Sequence, residues 1–164
     1  MTGLTDSIRA KYFKRVFEAI DGLWFMKTED ESDFKKALEI DRKVWEIVPK
    51  IQARELKSLV GIENNGLMAL MQALELKAEL EQALATFETD NENCLQCKIT
   101  SCPWFELMKK SGREHLAGRV GEVICGTEYP VWMKEFNVQG NFSLKKQLCN
   151  GDDCCLLEFS TEPT

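Results

Sequence analysis

Cysteine is the residue type with the clearest capacity for chemistry in this chain, and every cysteine lies at or beyond residue 94. An odd number of cysteines, with an N-terminus that lacks a signal-peptide pattern, does not suit a framework of disulfides. A buried free cysteine can be an ordinary small core residue, but confinement of them all to one region favours a shared site for metal or thiol chemistry. The seven are Cys94, Cys97, Cys102, Cys125, Cys149, Cys154 and Cys155.

The first three cysteines have the spacing of a metal-ligand run, Cys94-x2-Cys97-x4-Cys102-Pro103. A turn between the first two would direct both sulfurs to one tetrahedral Zn²⁺ ion or one iron of a cluster. Pro103 favours the first position of a helix. Because the free N–H groups of a helix start stabilise a thiolate, a reactive nucleophile is a second interpretation of Cys102.

The C-terminal cysteines lie in a predicted β-hairpin over residues 142–161, with the turn cluster Asn-Gly-Asp-Asp at 150–153. Strand alternation places Cys155 on the same face as large apolar residues, toward the core, and Cys154 on the opposite, outward face. We therefore expect Cys149 and Cys155 to share a site across the hairpin.

The first half of the chain has the periodicity of amphipathic helices. Apolar residues recur at spacings of three and four over 6–27, from about residue 34 to Gly61, and over 66–84. Pro49 predicts a break within the second of these segments. Gly61 is suited to end it.

The second half changes character near residue 85, where a strand leading toward Cys94 is expected. Short helices are predicted to open at Pro103, to cover 113–126, and to cover 128–137, with the last beginning around Pro130. The C-terminal hairpin follows.

These elements predict an α+β fold, with N-terminal antiparallel helices packed with a small C-terminal antiparallel sheet and short helices. Residues 1–84 form a helical region and residues 85–164 a cysteine-rich α+β region. The length of 164 residues suits one integrated domain.

Composition excludes several classes of protein. The formal net charge of −6 and a pI near 5.0 argue against nucleic-acid binding. No apolar run is long enough to span a bilayer, so we expect a cytoplasmic protein with no membrane partner. The single His115 excludes a three-histidine zinc site within one chain. Gly118 and Gly121 do not follow a strand as a nucleotide fingerprint requires.

Several segments together resemble the L-2-amino-thiazoline-4-carboxylic acid hydrolase-like family. They are LWFMK at 23–27, ALEIDRKVWEIVPKIQAREL at 37–56, CPW at 102–104, VGEVIC at 120–125 and C-x-G-D-D-x-C-x-x-x-F at 149–159. The terminal hairpin is also similar to the one that closes 4-vinyl-reductase-type small-molecule-binding domains, in which cysteines can hold a metal. The positions that match the family are Cys102-Pro103, Cys125, Cys149 and Cys155.

The resemblance implies a small-molecule-binding domain, and the cysteines suggest that it holds zinc or an iron–sulfur cluster. The extra thiols at Cys94, Cys97 and Cys154 favour a metal or redox-responsive site over plain hydrolysis. In the resulting hypothesis the metal ligands are Cys102, Cys125, Cys149 and Cys155, with Cys94 and Cys97 as alternates or a second site.

Two alternatives keep the same residues. In a hydrolase that opens a small C–N or C–S heterocycle, Cys102 or Cys125 attacks, or a metal-bound water does so. The walls of its substrate pocket would be Trp104, Tyr129 and Trp132. In a non-catalytic sensor the ligand binds without turnover. In all three hypotheses the partner is a small molecule, and a homodimer is a further expectation.

Overall fold

A computed structural model of the chain describes residues 3–90 and 93–161. The contacts divide the chain into two units, of which the first ends at Asp41 and the second begins at Arg42. Four helices precede the first strand, which begins at Leu84. This order agrees with the predicted change in secondary structure near that residue.

The first unit contains a long helix, α1 (Asp6–Glu31), and most of α2 (Phe34–Trp45). The helices are joined at Asp33, whose carboxylate Oδ1 accepts a hydrogen bond from the backbone N–H of Lys36 at 2.7 Å. Such a side-chain acceptor satisfies an N–H group that the first turn of a helix leaves free. The amphipathic α1 was predicted, but none of its residues is buried.

The second unit begins with the end of α2 and continues through α3 (Val48–Val60) and α4 (Leu67–Glu81). The break predicted at Pro49 is confirmed, because α2 ends before it and Pro49 occupies the first turn of α3. A proline is tolerated there since the first-turn N–H has no helical partner. Gly61 ends α3 as predicted, in the left-handed conformation with φ of 72°.

Four strands form one antiparallel sheet in the order β1-β2-β4-β3. The segment predicted as one strand toward Cys94 is two strands, β1 and β2, which pair with each other. The C-terminal hairpin is confirmed as β3 and β4. The strand bounds are β1 (Leu84–Asp90), β2 (Cys94–Ser101), β3 (Gly140–Lys146) and β4 (Cys155–Thr161).

Two helices connect β2 to β3: α5 (Pro103–Lys110), which starts at the proline as predicted, and α6 (Glu114–Glu135). The prediction of two short helices over 113–126 and 128–137 is wrong, because α6 runs through Pro130 without interruption. A proline inside a helix costs about 3 kcal/mol. Buried neighbours on either side, Tyr129 and Trp132, pack into the core and offset that cost.

The core of the second unit lies where α4 and α6 cover the sheet. Its largest fully buried side chains come from α4, from both central strands and from the end of α6. They are Leu70, Leu95, Trp132, Phe136, Leu157 and Phe159. The α+β fold class predicted from the sequence is confirmed. None of the helices within 3–90 and 93–161 combines the length and apolar character needed to cross a bilayer.

Candidate functional site

Four cysteines from separate segments of the second unit lie within electrostatic range of one another. Cys102 immediately precedes α5, Cys125 lies in α6, Cys149 lies in a 3₁₀ turn (Leu148–Asn150), and Cys155 opens β4. Each of these thiols interacts electrostatically with the other three. The structure therefore places the four thiols that were predicted as metal ligands within electrostatic range of one another, and we call them the thiol tetrad.

The 3₁₀ turn reaches the tetrad because two glycines of α6 let it approach closely. A Cβ at position 118 would lie 2.1 Å from Oδ1 of Asn150, and a Cβ at position 121 would lie 2.3 Å from Nε2 of Gln147 and 3.5 Å from Sγ of Cys149. Gly118, Gly121 and Cys125 fall on one face of the helix at spacings of three and four. Gly118 and Gly121 do not form a nucleotide-binding motif; their lack of a side chain allows the turn that carries Cys149 to pack against α6.

Backbone N–H groups point at two of the tetrad sulfurs. The N–H of Leu148 donates a hydrogen bond to Sγ of Cys155 at 3.3 Å. The N–H groups of Trp104 and Phe105, at the start of α5, act to lower the pKa of Cys102, although burial has the larger effect and the net pKa is raised. Such donors stabilise negative charge on sulfur.

Burial and mutual repulsion nevertheless keep the metal-free thiols protonated. Burial is the main cause that raises the pKa of Cys149 to about 12 and that of Cys155 to about 11. The neighbouring thiols raise both further. Burial, followed by the charge of Glu128, raises the pKa of Cys125 well above its ordinary value. A thiolate here needs a cation to compensate its charge.

Gln147 adds a buried polar group beside the tetrad. Only 4% of this residue is exposed. Its Oε1 accepts a hydrogen bond from Nδ2 of Asn150 at 2.9 Å. Its Nε2 has no hydrogen-bond partner within the described part of the chain. A buried amide N–H without a partner is costly, so this group is free to donate to a ligand held near Cys149.

A buried ion cluster lies next to the tetrad. Nζ of Lys77 is 2.7 Å from a carboxylate oxygen of Glu81 and 3.0 Å from one of Glu128. Burial lowers the pKa of Lys77, but the two carboxylates more than offset this and the net pKa is raised. Burial raises the pKa of Glu128, and Lys77 opposes that effect. Lys77 therefore stays a cation inside the protein.

Sequence analysis missed this cluster, although a signal was present. Leu70, Leu74 and Lys77 are spaced by four and three along α4, and all three are buried. A lysine in the core stripe of a helix is rare unless an acidic partner accompanies it. That partner, Glu128, is far away in the sequence and could not be identified from spacing.

The remaining cysteines have different surroundings. Cys94 and Cys97 lie in β2 rather than on either side of the expected turn, and residues three apart in a strand face opposite sides. Cys97 is buried and interacts with Lys77 and Cys155. Cys94 interacts instead with Asp90, Glu158 and Lys145.

Cys154 does not point outward, and that prediction is wrong. Only 2% of it is exposed, less than the 7% of Cys155, whose inward position is confirmed. The reason is that β4 begins at Cys155, so strand alternation does not extend to Cys154. Its Sγ lies 3.7 Å from Oδ1 of Asp153.

The three aromatic residues predicted to border a substrate are placed in packed surroundings. The ring of Trp104 meets that of Trp45 edge to face, with centroids 6.0 Å apart. Tyr129 stacks on Phe142 at 5.3 Å, and Trp132 is fully buried. Tyr129 also interacts electrostatically with Cys125, so it is adjacent to the tetrad. Their role in substrate binding stays a prediction.

Within residues 3–90 and 93–161, no group of three or more His, Cys, Asp or Glu side chains is arranged so that it could hold a metal ion. The tetrad thiols are all free. A cysteine Sγ moves between staggered χ1 rotamers without displacement of the backbone. Joint ligation of a metal by the tetrad would therefore require these side chains to move from their positions in this structure.

The close approach at Gly121 makes a direct prediction. In Gly121→Ala, the added methyl must displace the Gln147 amide, and we expect the free energy of unfolding to fall by about 1–3 kcal/mol. Gly126→Ala is the matched control in the same helix, because a Cβ there meets open space. It should raise the free energy of unfolding by about 0.5–1 kcal/mol. Urea unfolding of both variants measures the difference, and equal effects would contradict the proposed packing.

A comparison with protein-family models finds one that matches residues 7–148, described as a family of unknown function, DUF6125. The match covers most of the chain and includes Cys102, Cys125 and the segment that leads to Cys149. No curated protein matches the chain.

Proposed function

We propose that this chain, which belongs to the DUF6125 family, binds a metal ion or iron–sulfur cluster through the thiolates of Cys102, Cys125, Cys149 and Cys155. The observation that carries the proposal is the mutual proximity of these four thiols, each within electrostatic range of the other three. Four cysteine sulfurs are the donor set of structural zinc sites and of common iron–sulfur clusters.

The surroundings of the tetrad suit thiolate ligands. A metal cation supplies the positive charge that the crowded thiols lack, and its binding would release their protons. The N–H groups directed at Cys102 and Cys155 would then stabilise the ligating sulfurs. Burial is the main cause that raises the pKa of Cys102, Glu81 raises it further, and the Lys77 ammonium opposes them with a smaller effect than that of Glu81.

The resemblance to thiazoline-carboxylate hydrolases adds a small-molecule ligand to this proposal. We place metal binding ahead of hydrolysis by a cysteine nucleophile, because the pKa values of both Cys102 and Cys125 are raised. A protonated thiol is a poor nucleophile. Because free thiols persist in a reducing compartment, we assign the protein to the cytoplasm.

Metal content after anaerobic purification of the full chain tests the proposal. We expect stoichiometric zinc by mass spectrometry, or iron and sulfide with visible absorption. Replacement of any tetrad cysteine by serine should weaken metal binding at least about 100-fold. Cys154→Ser is the matched control, because Cys154 is buried like Cys155 and is adjacent to it in the sequence. Cys94→Ser is a second control.

Two results would overturn the metal proposal. One is a wild-type protein that is folded, colourless and free of metal, and that takes up neither Zn²⁺ nor a reconstituted cluster. The other is an equal loss of metal in the control and tetrad variants. Circular dichroism of each variant separates loss of a ligand from loss of the fold.

The pH dependence of stability should change sign when metal binds. In the metal-free protein, Cys97, Cys149 and Cys155 have pKa values raised above the ordinary 9.0. Their stabilising effect is therefore complete below about pH 9, and it is lost as the pH rises toward 11 or 12, because the unfolded chain releases protons first. With metal bound, the tetrad thiols are already ionised, so stability rises with pH up to the unfolded pKa. Urea unfolding at pH 7, 9 and 10 distinguishes the two trends.

A further inference from the structure

The apolar face of α1 is exposed, while its polar face is the more buried one. Trp24, Phe13 and Tyr12 are 72%, 66% and 64% exposed. The side chains of Lys14 and Glu18, which form an ion pair on the other side of the helix, are only 28% and 12% exposed. This distribution is the reverse of that expected for a surface helix. An exposed contiguous apolar face of this size marks an interaction surface.

The charges along α1 are divided between its two ends. Four basic residues and one acidic residue, Asp6, lie between positions 6 and 17, whereas five acidic residues and one lysine lie between 18 and 31. Three of the carboxylates, at 29–31, occupy the last turn, where the helix dipole disfavours negative charge. The four basic residues are Arg9, Lys11, Lys14 and Arg15, and the acidic residues between 18 and 31 are Glu18, Asp21, Glu29, Asp30 and Glu31.

We propose that α1 is a dimer interface, on which the α1 helix of a second copy of this chain packs in antiparallel orientation. A two-fold axis across the middle of the helix brings the basic half of each copy to the acidic half of the other. The same axis opposes the two helix dipoles. A parallel arrangement would instead place like charges together at both ends. The charge pattern therefore selects a second copy, and it selects the antiparallel orientation.

The exposed area is sufficient for a stable dimer. Seven large apolar residues of α1 are 46–72% exposed, which together equal about four fully exposed side chains. At roughly 200 Å² each, they offer about 800 Å² per protomer, the area that a standard interface buries on each partner. The seven are Ile8, Tyr12, Phe13, Phe17, Ile20, Leu23 and Trp24.

Sedimentation of the full chain over a wide range of protein concentration tests the interface. We expect a reversible dimer. The Phe13→Glu, Trp24→Glu double variant should raise the dimer Kd at least about 100-fold. Leu59→Glu is the matched control, because Leu59 is a 78% exposed apolar residue of α3. It should leave the Kd unchanged, and circular dichroism checks that every variant retains its helices.

Charge reversal tests the orientation. Arg9→Glu with Lys11→Glu should weaken the dimer and reverse its response to salt, because each altered end meets the acidic end of the other copy. Adding Glu29→Lys and Asp30→Lys should restore dimerisation, since complementary ends then meet again. A monomer at every concentration, as when α1 folds onto its own chain, would overturn the proposal. So would a dimer that survives the Phe13→Glu, Trp24→Glu change. Metal content is measured separately and bears only on the thiol tetrad.

Discussion

Lys77→Met is expected to destabilise the second unit by about 3–5 kcal/mol, because it leaves the buried carboxylate of Glu128 without its cation. Methionine keeps the length and apolar character of the lysine stem, so the loss reports on the charge rather than on packing. Urea unfolding near neutral pH measures the effect. We also expect the pKa of Glu128 to rise further in this variant, because Lys77 lowers it in the native protein.

Two further variants identify the cause of the Lys77 effect. Glu128→Gln combined with Lys77→Met removes both buried charges, and it should recover part of the lost stability. Lys36→Met breaks a pair with Glu39 in which both side chains are about half exposed, and its cost should lie within about 1 kcal/mol. If Lys77→Met costs no more than Lys36→Met, the buried cluster is not a structural ion pair.

Gly140→Ala is expected to disrupt the C-terminal hairpin, with a cost of about 3–5 kcal/mol. A Cβ at this position would lie 1.8 Å from the backbone oxygen of Ser160, and the φ of 152° is one that only glycine adopts readily. Relief of the contact would require the backbone of the neighbouring strand to move, and relief of the strain would require a different φ at position 140. The change should also weaken metal binding, because β4 carries Cys155.

Gly151→Ala is the matched control for Gly140→Ala. Its φ of 93° also favours glycine, but a Cβ there meets open space. Only conformational strain should appear, at about 1–2 kcal/mol. Thermal and urea unfolding of the two variants therefore separate steric contact from backbone strain. Equal costs would mean that the close approach of β3 to β4 has been relieved.

Local sequence signals predicted the elements that depend on local chemistry. Pro49 marked a break between two helices, Pro103 a helix start and Gly61 a helix end, and the turn cluster at 150–153 marked the hairpin. In each case one residue type restricts the backbone directly, without regard to distant contacts. The predictions at these four places were confirmed.

The predictions that were wrong concern places where tertiary packing overrides local preference. Pro130 was predicted to begin a separate short helix, but α6 runs through it, and Tyr129 and Trp132 are held in the core on either side. Cys154 should face outward, but the strand begins one residue later. The spacing of residues predicts neither the continuity of α6 nor the point at which β4 begins, because both depend on contacts with residues distant in the sequence.

The cysteines of the candidate site could be predicted from the sequence, but the charged residues around them could not. Cys102, Cys125, Cys149 and Cys155 were predicted as ligands from the sequence, and the structure places their thiols within electrostatic range of one another. The Lys77–Glu128 pair lies beside them, and it joins two helices that are remote in the sequence. A single sequence carries no information about which acidic residue meets a buried lysine.

The continuity of α6 has a practical consequence. One continuous helix carries both Cys125, a member of the tetrad, and Trp132, which is fully buried in the core. A ligand bound at the tetrad is therefore expected to stabilise the whole second unit against thermal unfolding. A ligand that binds only the folded chain raises its melting temperature, and the stabilisation grows with the logarithm of ligand concentration relative to Kd. A melting screen across divalent ions and small heterocycles can therefore identify the physiological ligand before any reaction is known.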